Sequence, residues 1–149
     1  MKKQLLDYIY SNNFKEISYN GIKFKSKIEV SIYKLLEQSG LKFSYEDFTI
    51  TLLEGFYPTK VSYIPRKKRG IRVTEFKEKV RSMTYTPDFT VFKNDKVYLI
   101  EVKGFETDRY IVKRKLLLKY IDDKNMIFFE IHTKKDMINC IEFIKNDSC

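Results

Sequence analysis

Pro87-Asp88 and Glu101-Val102-Lys103 stand at the open end of a segment that reads as a β-hairpin, and this restricts the fold more than any other feature of the chain. Asp88 to Phe92 forms one short strand, Lys93-Asn94-Asp95-Lys96 the turn, and Val97 to Lys103 the returning strand, which ends at Gly104. Side chains alternate along a strand, so Tyr98, Ile100 and Val102 share the core side, while Leu99, Glu101 and Lys103 share the other. Asp88 opens the preceding strand and faces Glu101 across the pair. Paired strands lie about 4.8 Å apart, and two carboxylates at that spacing repel unless positive charge lies between them. Two acids supply oxygen ligands for a hard divalent cation such as Mg2+. The neighbouring lysine can hold an anion or an attacking water. That set of groups suits metal-assisted hydrolysis of a phosphodiester.

The rest of the chain supplies the layers around this hairpin. Leu5, Leu6, Ile9 and Tyr10 recur at helical spacing and predict a short helix over Lys3–Ser11. Gly21 to Lys25 reads as a connection. Ser26-Lys27-Ile28-Glu29 fits the capping-box pattern, and Ile28, Ile32, Leu35 and Leu36 follow as one apolar stripe, with Gly40 placed to stop the helix. Phe43 and Tyr45 begin a strand. Residues 49–84 are interrupted by Pro58 and Pro65. There Arg66-Lys67-Lys68-Arg69-Gly70 is expected to be a basic turn. Ile71 and Val73 alternate like a strand, and Phe76, Val80 and Met83 also fit a helix; strands and a hairpin are the favoured reading. Ile111, Leu117, Leu118 and Ile121 predict a helix from about Thr107 to Asp123. Met126 to Ile131 is an expected buried strand, and Thr133 opens a last helix carrying Met137, Ile138, Ile141 and Ile144. The order α-α-β-(β)-β-β-α-β-α is that of an α/β fold with a mixed central sheet flanked by helices.

At 149 residues the chain is expected to form one domain. Its net charge of +9 calls for an anionic partner, nucleic acid ahead of an anionic membrane surface. Cys140 and Cys149 read as free thiols, which points to a reducing cytoplasm. Neither a signal peptide nor an apolar run long enough to span a bilayer is visible, so no membrane association is expected. Ser, Cys and His form no nucleophile set, and no phosphate-binding glycine loop is present.

Thr86-Pro87-Asp88-Phe89 followed by Ile100-Glu101-Val102-Lys103-Gly104 resembles the PD-(D/E)xK nuclease superfamily. Phe24-Lys25-Ser26-Lys27-Ile28-Glu29, the helix to Gly40 and Leu41-Lys42-Phe43-Ser44-Tyr45-Glu46 are similar to phage-type endonuclease I, the Holliday-junction resolvase. The likeness covers roughly residues 24–48 and 84–104 and leaves 49–84 as an insertion. It implies a restriction-endonuclease-like core in a single nuclease domain over 1–149, with 1–23 as an N-terminal helical extension. It also implies Glu29, Asp88 and Glu101 as metal ligands, Lys103 as the catalytic lysine, and Mg2+ as cofactor with Mn2+ able to substitute. DNA cut to leave a 5′-phosphate, a homodimer and a phage or prophage source follow from the same likeness. From the residues alone Glu29 is a helix cap; the metal role comes from the resemblance. Two alternatives stay open: a restriction-type or transposition-associated nuclease of the same superfamily, and a non-catalytic DNA-binding module on that fold.

Basic residues nominate the DNA contacts. Arg109, Lys113, Arg114, Lys115 and Lys119 lie on the helix that leaves the catalytic strand, and Lys115 and Lys119 share a face. Arg66, Lys67, Lys68 and Arg69, with Arg72, form a second cluster. Each cluster is either a phosphate-tracking surface or a solvated face. Glu46 and Asp47 read as an exposed strand end or as supporting acids, and His132 as a surface or helix-entry residue.

Overall fold

A computed structural model of the chain describes residues 17–60, 62–68, 71–76 and 79–148. The helix expected over residues 3–11 lies outside them, as do Arg69 and Cys149. In chain order the elements are β1 (Ile17–Tyr19), β2 (Ile22–Phe24), α1 (Lys27–Ser39), β3 (Lys42–Tyr45), β4 (Ile50–Leu53), β5 (Ser62–Lys68) and β6 (Ile71–Phe76). There follow β7 (Met83–Tyr85), β8 (Phe89–Lys93), β9 (Lys96–Val102), α2 (Asp108–Ile121), β10 (Met126–Ile131) and α3 (Lys134–Asn146). Two compact units result, one built from Met1–Thr49 with Thr86–Cys149 and the other from Ile50–Tyr85.

The first unit is a mixed α/β core. Its sheet has four strands in the order β10-β9-β8-β3. β10 runs parallel to β9, and the other two pairings are antiparallel. Asn94 (φ 51°) and Asp95 (φ 57°) take left-handed backbone between β8 and β9, the geometry of a two-residue turn whose twist matches its strands. Asn20 (φ 49°) and Gly21 (φ 77°) do the same between β1 and β2. The connection expected over Gly21–Lys25 is therefore largely a strand, because Ile22–Phe24 pairs back onto Ile17–Tyr19.

β9 is buried on both faces. Tyr98 and Ile100 join the core with Val30, Ile32 and Leu36 of α1 and Met137, Ile141 and Ile144 of α3. Leu99 and Glu101 are buried as well, on the side where Tyr110 of α2 reaches Glu130 of β10. Strand alternation assigned the two faces; the sequence pattern did not show that the second face is covered. The helices start and stop where capping chemistry directs. Ser26 caps α1, and Gly40 closes it at φ 71°. Thr133 and Asp136 form a capping box on α3. α2 ends at Ile121, two residues before the expected Asp123.

The hairpin is tied to the last turn of α3. Lys93 Nζ donates to the carbonyls of Ile144, Lys145 and Asp147, each at 2.8 Å. Those oxygens have no partners within the helix, and they sit at its negative end. Lys93→Met keeps the aliphatic stem and removes three charge-assisted hydrogen bonds. The expected loss is about 1.5–3 kcal/mol of unfolding free energy, read from urea melts, and Lys93→Arg should recover part of it.

The second unit is a set of nested antiparallel pairings. β4 pairs with β7, Phe56 bridges Val80, and β5 pairs with β6. Strands were the favoured expectation for this segment, and among the described residues no helix joins Phe76, Val80 and Met83: Phe76 ends β6 and Met83 opens β7. Pro65 is accommodated where the β5–β6 register shifts between Tyr63 and Arg66. Arg66, Lys67 and Lys68 lie in β5 and not in a turn. Among the described residues, no helix is long and apolar enough to cross a membrane.

Candidate functional site

Glu29 sits in the first turn of α1 and is 5 % exposed. Ser26 caps the helix by accepting from the Glu29 N–H at 3.2 Å, but one Glu29 carboxylate oxygen accepts from the Ser26 hydroxyl at 2.9 Å and not from its backbone N–H, so the expected capping box is only half formed. The other accepts from the Lys25 backbone N–H at 3.1 Å and from the Tyr45 hydroxyl at 2.6 Å. That second oxygen reaches beyond the cap and joins α1 to the end of β3. Burial, then the hydrogen bond to Glu29, then the charges of Glu29, Glu46 and Asp88 push the Tyr45 hydroxyl far above the usual phenol range.

The central hairpin carries the remaining groups. Phe89 pairs with Ile100, so the next rung of the ladder sets Asp88 against Glu101. Asp88 Oδ2 accepts from the Val102 N–H at 2.7 Å. Burial is the largest influence on Asp88, and repulsion from Glu101 and then Glu29 adds to it. The Val102 hydrogen bond and Lys25 work the other way, and the carboxyl is left at about 7. Glu101 is 6 % exposed and pairs with Lys103 at 2.6 Å. Lys103 Nζ also lies 4.1 Å from the centre of the Tyr110 ring, and its backbone N–H donates to the Ile131 carbonyl at 2.9 Å. Glu29, Asp88, Glu101 and Lys103 thus belong to one electrostatic cluster at the end of the sheet. It draws on α1, the start of β8 and the end of β9.

Each acid in this cluster is held by a different partner. Among the described residues, the trio that brings one donor atom each within 4.8 Å of one another is Glu106, Glu130 and His132; Glu29, Asp88 and Glu101 are spaced more widely. In that tighter trio the Arg114 guanidinium already bridges the acids, with Nη1 2.8 Å from Glu106 Oε1 and 2.8 Å from Glu130 Oε2. Burial drives the Glu130 carboxyl up, but hydrogen bonds from Tyr110, Arg114 and His132 outweigh it and hold the group at about 2. Glu130 is also the β10 residue paired with Glu101. A chain of contacts therefore runs from Lys103 through the Tyr110 ring to Glu130 and Arg114.

The residues nominated for DNA contact divide. Arg109, Lys115 and Lys119 are exposed, and Lys113 is half-buried. Arg114, nominated with them, instead points inward to Glu106 and Glu130, because two carboxylates on that side need a cation. Glu46 forms an ion pair with Lys25, and Asp47 is exposed. His132, 43 % exposed, contacts Glu130 at 2.6 Å.

Three members of the cluster escaped the sequence reading: Lys25, Tyr45 and Tyr110. Tyr45 had a partial signal, since strand alternation placed it on β3, but nothing local joins it to Glu29 sixteen residues earlier. Tyr110 stands as an ordinary apolar position of a helix, and Lys25 as one lysine among many.

No curated protein matches the chain. A family match extends over residues 9–135, most of the chain and all of the cluster just described. The chain belongs to the family described as Protein of unknown function (DUF1064).

Proposed function

We propose that this protein is a Mg2+-dependent endodeoxyribonuclease that hydrolyses phosphodiester bonds in branched DNA, in the manner of phage endonuclease I. One observation carries this reading: two buried or half-buried acids on one hairpin face each other beside a lysine, with a third acid close enough to repel Asp88. A carboxyl held at about 7 by burial and like charge is a group in want of a cation. The donor set, all carboxylate oxygen, fits Mg2+ or Mn2+. Glu29, Asp88 and Glu101, which stand further apart than the ligand oxygens of one ion, would hold it in part through bound water. When bound, the ion supplies charge neutralisation at the phosphoryl oxygens and a more acidic water.

The chain's own residues do the rest. Lys103 has a carboxylate on one side and an aromatic face on the other, two partners that attract a cation. That supports a role in orienting the attacking water and stabilising negative charge that develops on the phosphate. Tyr45 and the Val102 N–H fix Glu29 and Asp88 in place, so that little reorganisation accompanies the reaction. Exposed Arg109, Lys115 and Lys119 on α2 provide attraction for the phosphate backbone without reading sequence. Arg66, Lys67 and Lys68 add positive charge to the chain, and the proposal counts that charge only toward general attraction for DNA. Homodimerisation and a cytoplasmic location go with this reading, since both strands of a branch must be cut where DNA is found.

The purified chain, incubated with linear duplex, flap and four-way-junction DNA, is expected to cut the branched substrates in Mg2+ or Mn2+ and none of them in EDTA. Tight, salt-sensitive DNA binding with no cleavage in either metal would instead favour a binding module on the same fold.

A further inference from the structure

We propose that Phe105 is a stacking platform for a nucleobase left unstacked, in a single strand or at a branch point, next to the scissile phosphate. The proposal rests on the nuclease reading above and names the form of DNA that the site accepts. Phe105 is 82 % exposed, more than any other large apolar side chain among the described residues. A single exposed apolar side chain is ordinary on a protein surface, so it is the position of this ring in the chain, and not its exposure, that singles it out. Phe105 follows Lys103 by two residues, so its backbone lies within about 7 Å of the lysine's.

The loop that carries it is pinned on both sides. Before it, Lys103 is held by the Ile131 carbonyl and by Glu101. After it, Glu106 is gripped by Arg114 at 2.8 Å, and the Thr107 hydroxyl caps α2 by accepting from the Tyr110 N–H at 3.2 Å. Phe105 alone points outward between two fixed anchors. A ring presented from a braced loop loses little freedom on binding, which is what a pre-organised contact requires. Exposed Arg109 lies on the following helix turn, and the chain carries +9 overall. An aromatic face beside basic residues matches a single strand, whose bases offer a π-face and whose backbone offers phosphates. A base inside an intact duplex is already stacked and does not offer that face.

The chain contains no tryptophan, so Phe105→Trp introduces a single indole. In EDTA, its fluorescence should be quenched by a short single-stranded oligonucleotide and by a four-way junction, and should stay level with blunt duplex of equal length. Anisotropy of labelled DNA reports binding in the same samples. Phe105→Ala should weaken binding to the junction about tenfold, within the usual value of one base–aromatic stack, and leave blunt-duplex binding nearly unchanged. Phe105→Leu should behave like Phe105→Ala. Binding without quenching overturns the stacking role and leaves the nuclease reading standing. Full recovery by Phe105→Leu also overturns it, since an aliphatic contact with a protein partner would then suffice. Failure of wild-type chain to bind any DNA overturns both.

Discussion

Asp88→Asn and Glu101→Gln should each lower the proposed Mg2+-dependent cleavage by about a thousandfold or more, the scale of several kcal/mol that a catalytic metal contributes to the transition state. Both substitutions keep shape and remove charge. Asn at 88 still offers an oxygen to the Val102 N–H, which Asp88 now binds at 2.7 Å. Gln at 101 still fills a position that is 6 % exposed and releases Lys103 from its 2.6 Å ion pair. Initial rates on labelled branched DNA measure the effect, with circular dichroism verifying that each variant is folded. DNA binding in EDTA should be retained, since a carboxylate only repels phosphate. If either variant keeps a tenth of the wild-type rate, that acid does not serve the reaction.

The second large effect is on stability and does not depend on the substrate. Asp88 is raised from 3.8 in its ordinary state to about 7 in the fold. Below pH 4 it is protonated in both the folded and the unfolded chain, and its contribution is at its most favourable. Between pH 4 and 7 the unfolded chain releases the proton while the fold retains it, so stability falls across that window. Above pH 7 the loss is complete, at roughly 2–4 kcal/mol for a shift of this size. In EDTA, wild-type urea melts should therefore show declining stability from pH 4 to pH 8. Asp88→Asn should flatten that decline and be more stable than wild type at pH 8. Mg2+ at pH 8 should restore wild-type stability by binding only the fold, with a smaller effect on the variant. Glu130 acts in a separate window. Its carboxyl is lowered to about 2, so its contribution is present above pH 4.5 and fades as pH falls below it. Coincident pH profiles for wild type and Asp88→Asn would show that Asp88 is not the strained acid.

Much of the core was legible in local pattern. The two-residue turn at Asn94-Asp95, the Ser26 and Thr133 caps and the Gly40 stop all act within a few residues of themselves, so the sequence alone carries them. Period-two alternation put Glu101 and Lys103 on one side of β9, and hairpin register set Asp88 opposite Glu101. Residues 49–84 were less readable because prolines and bulged pairing spoil the period there, as the register shifts at Thr51/Leu53 and Tyr63/Arg66 attest.

What the sequence by itself determined was the placement of acids and lysine on one hairpin and one helix start, since alternation and capping are local rules. Tertiary structure alone decided which groups meet them. Tyr45 reaches Glu29, Tyr110 lies under Lys103, Arg114 turns inward to Glu130, and both faces of β9 are covered. Those choices depend on strand order and on where α2 packs. Burial and charge summed over distant segments then set Asp88 near neutrality, a sum that no single stretch of chain contains.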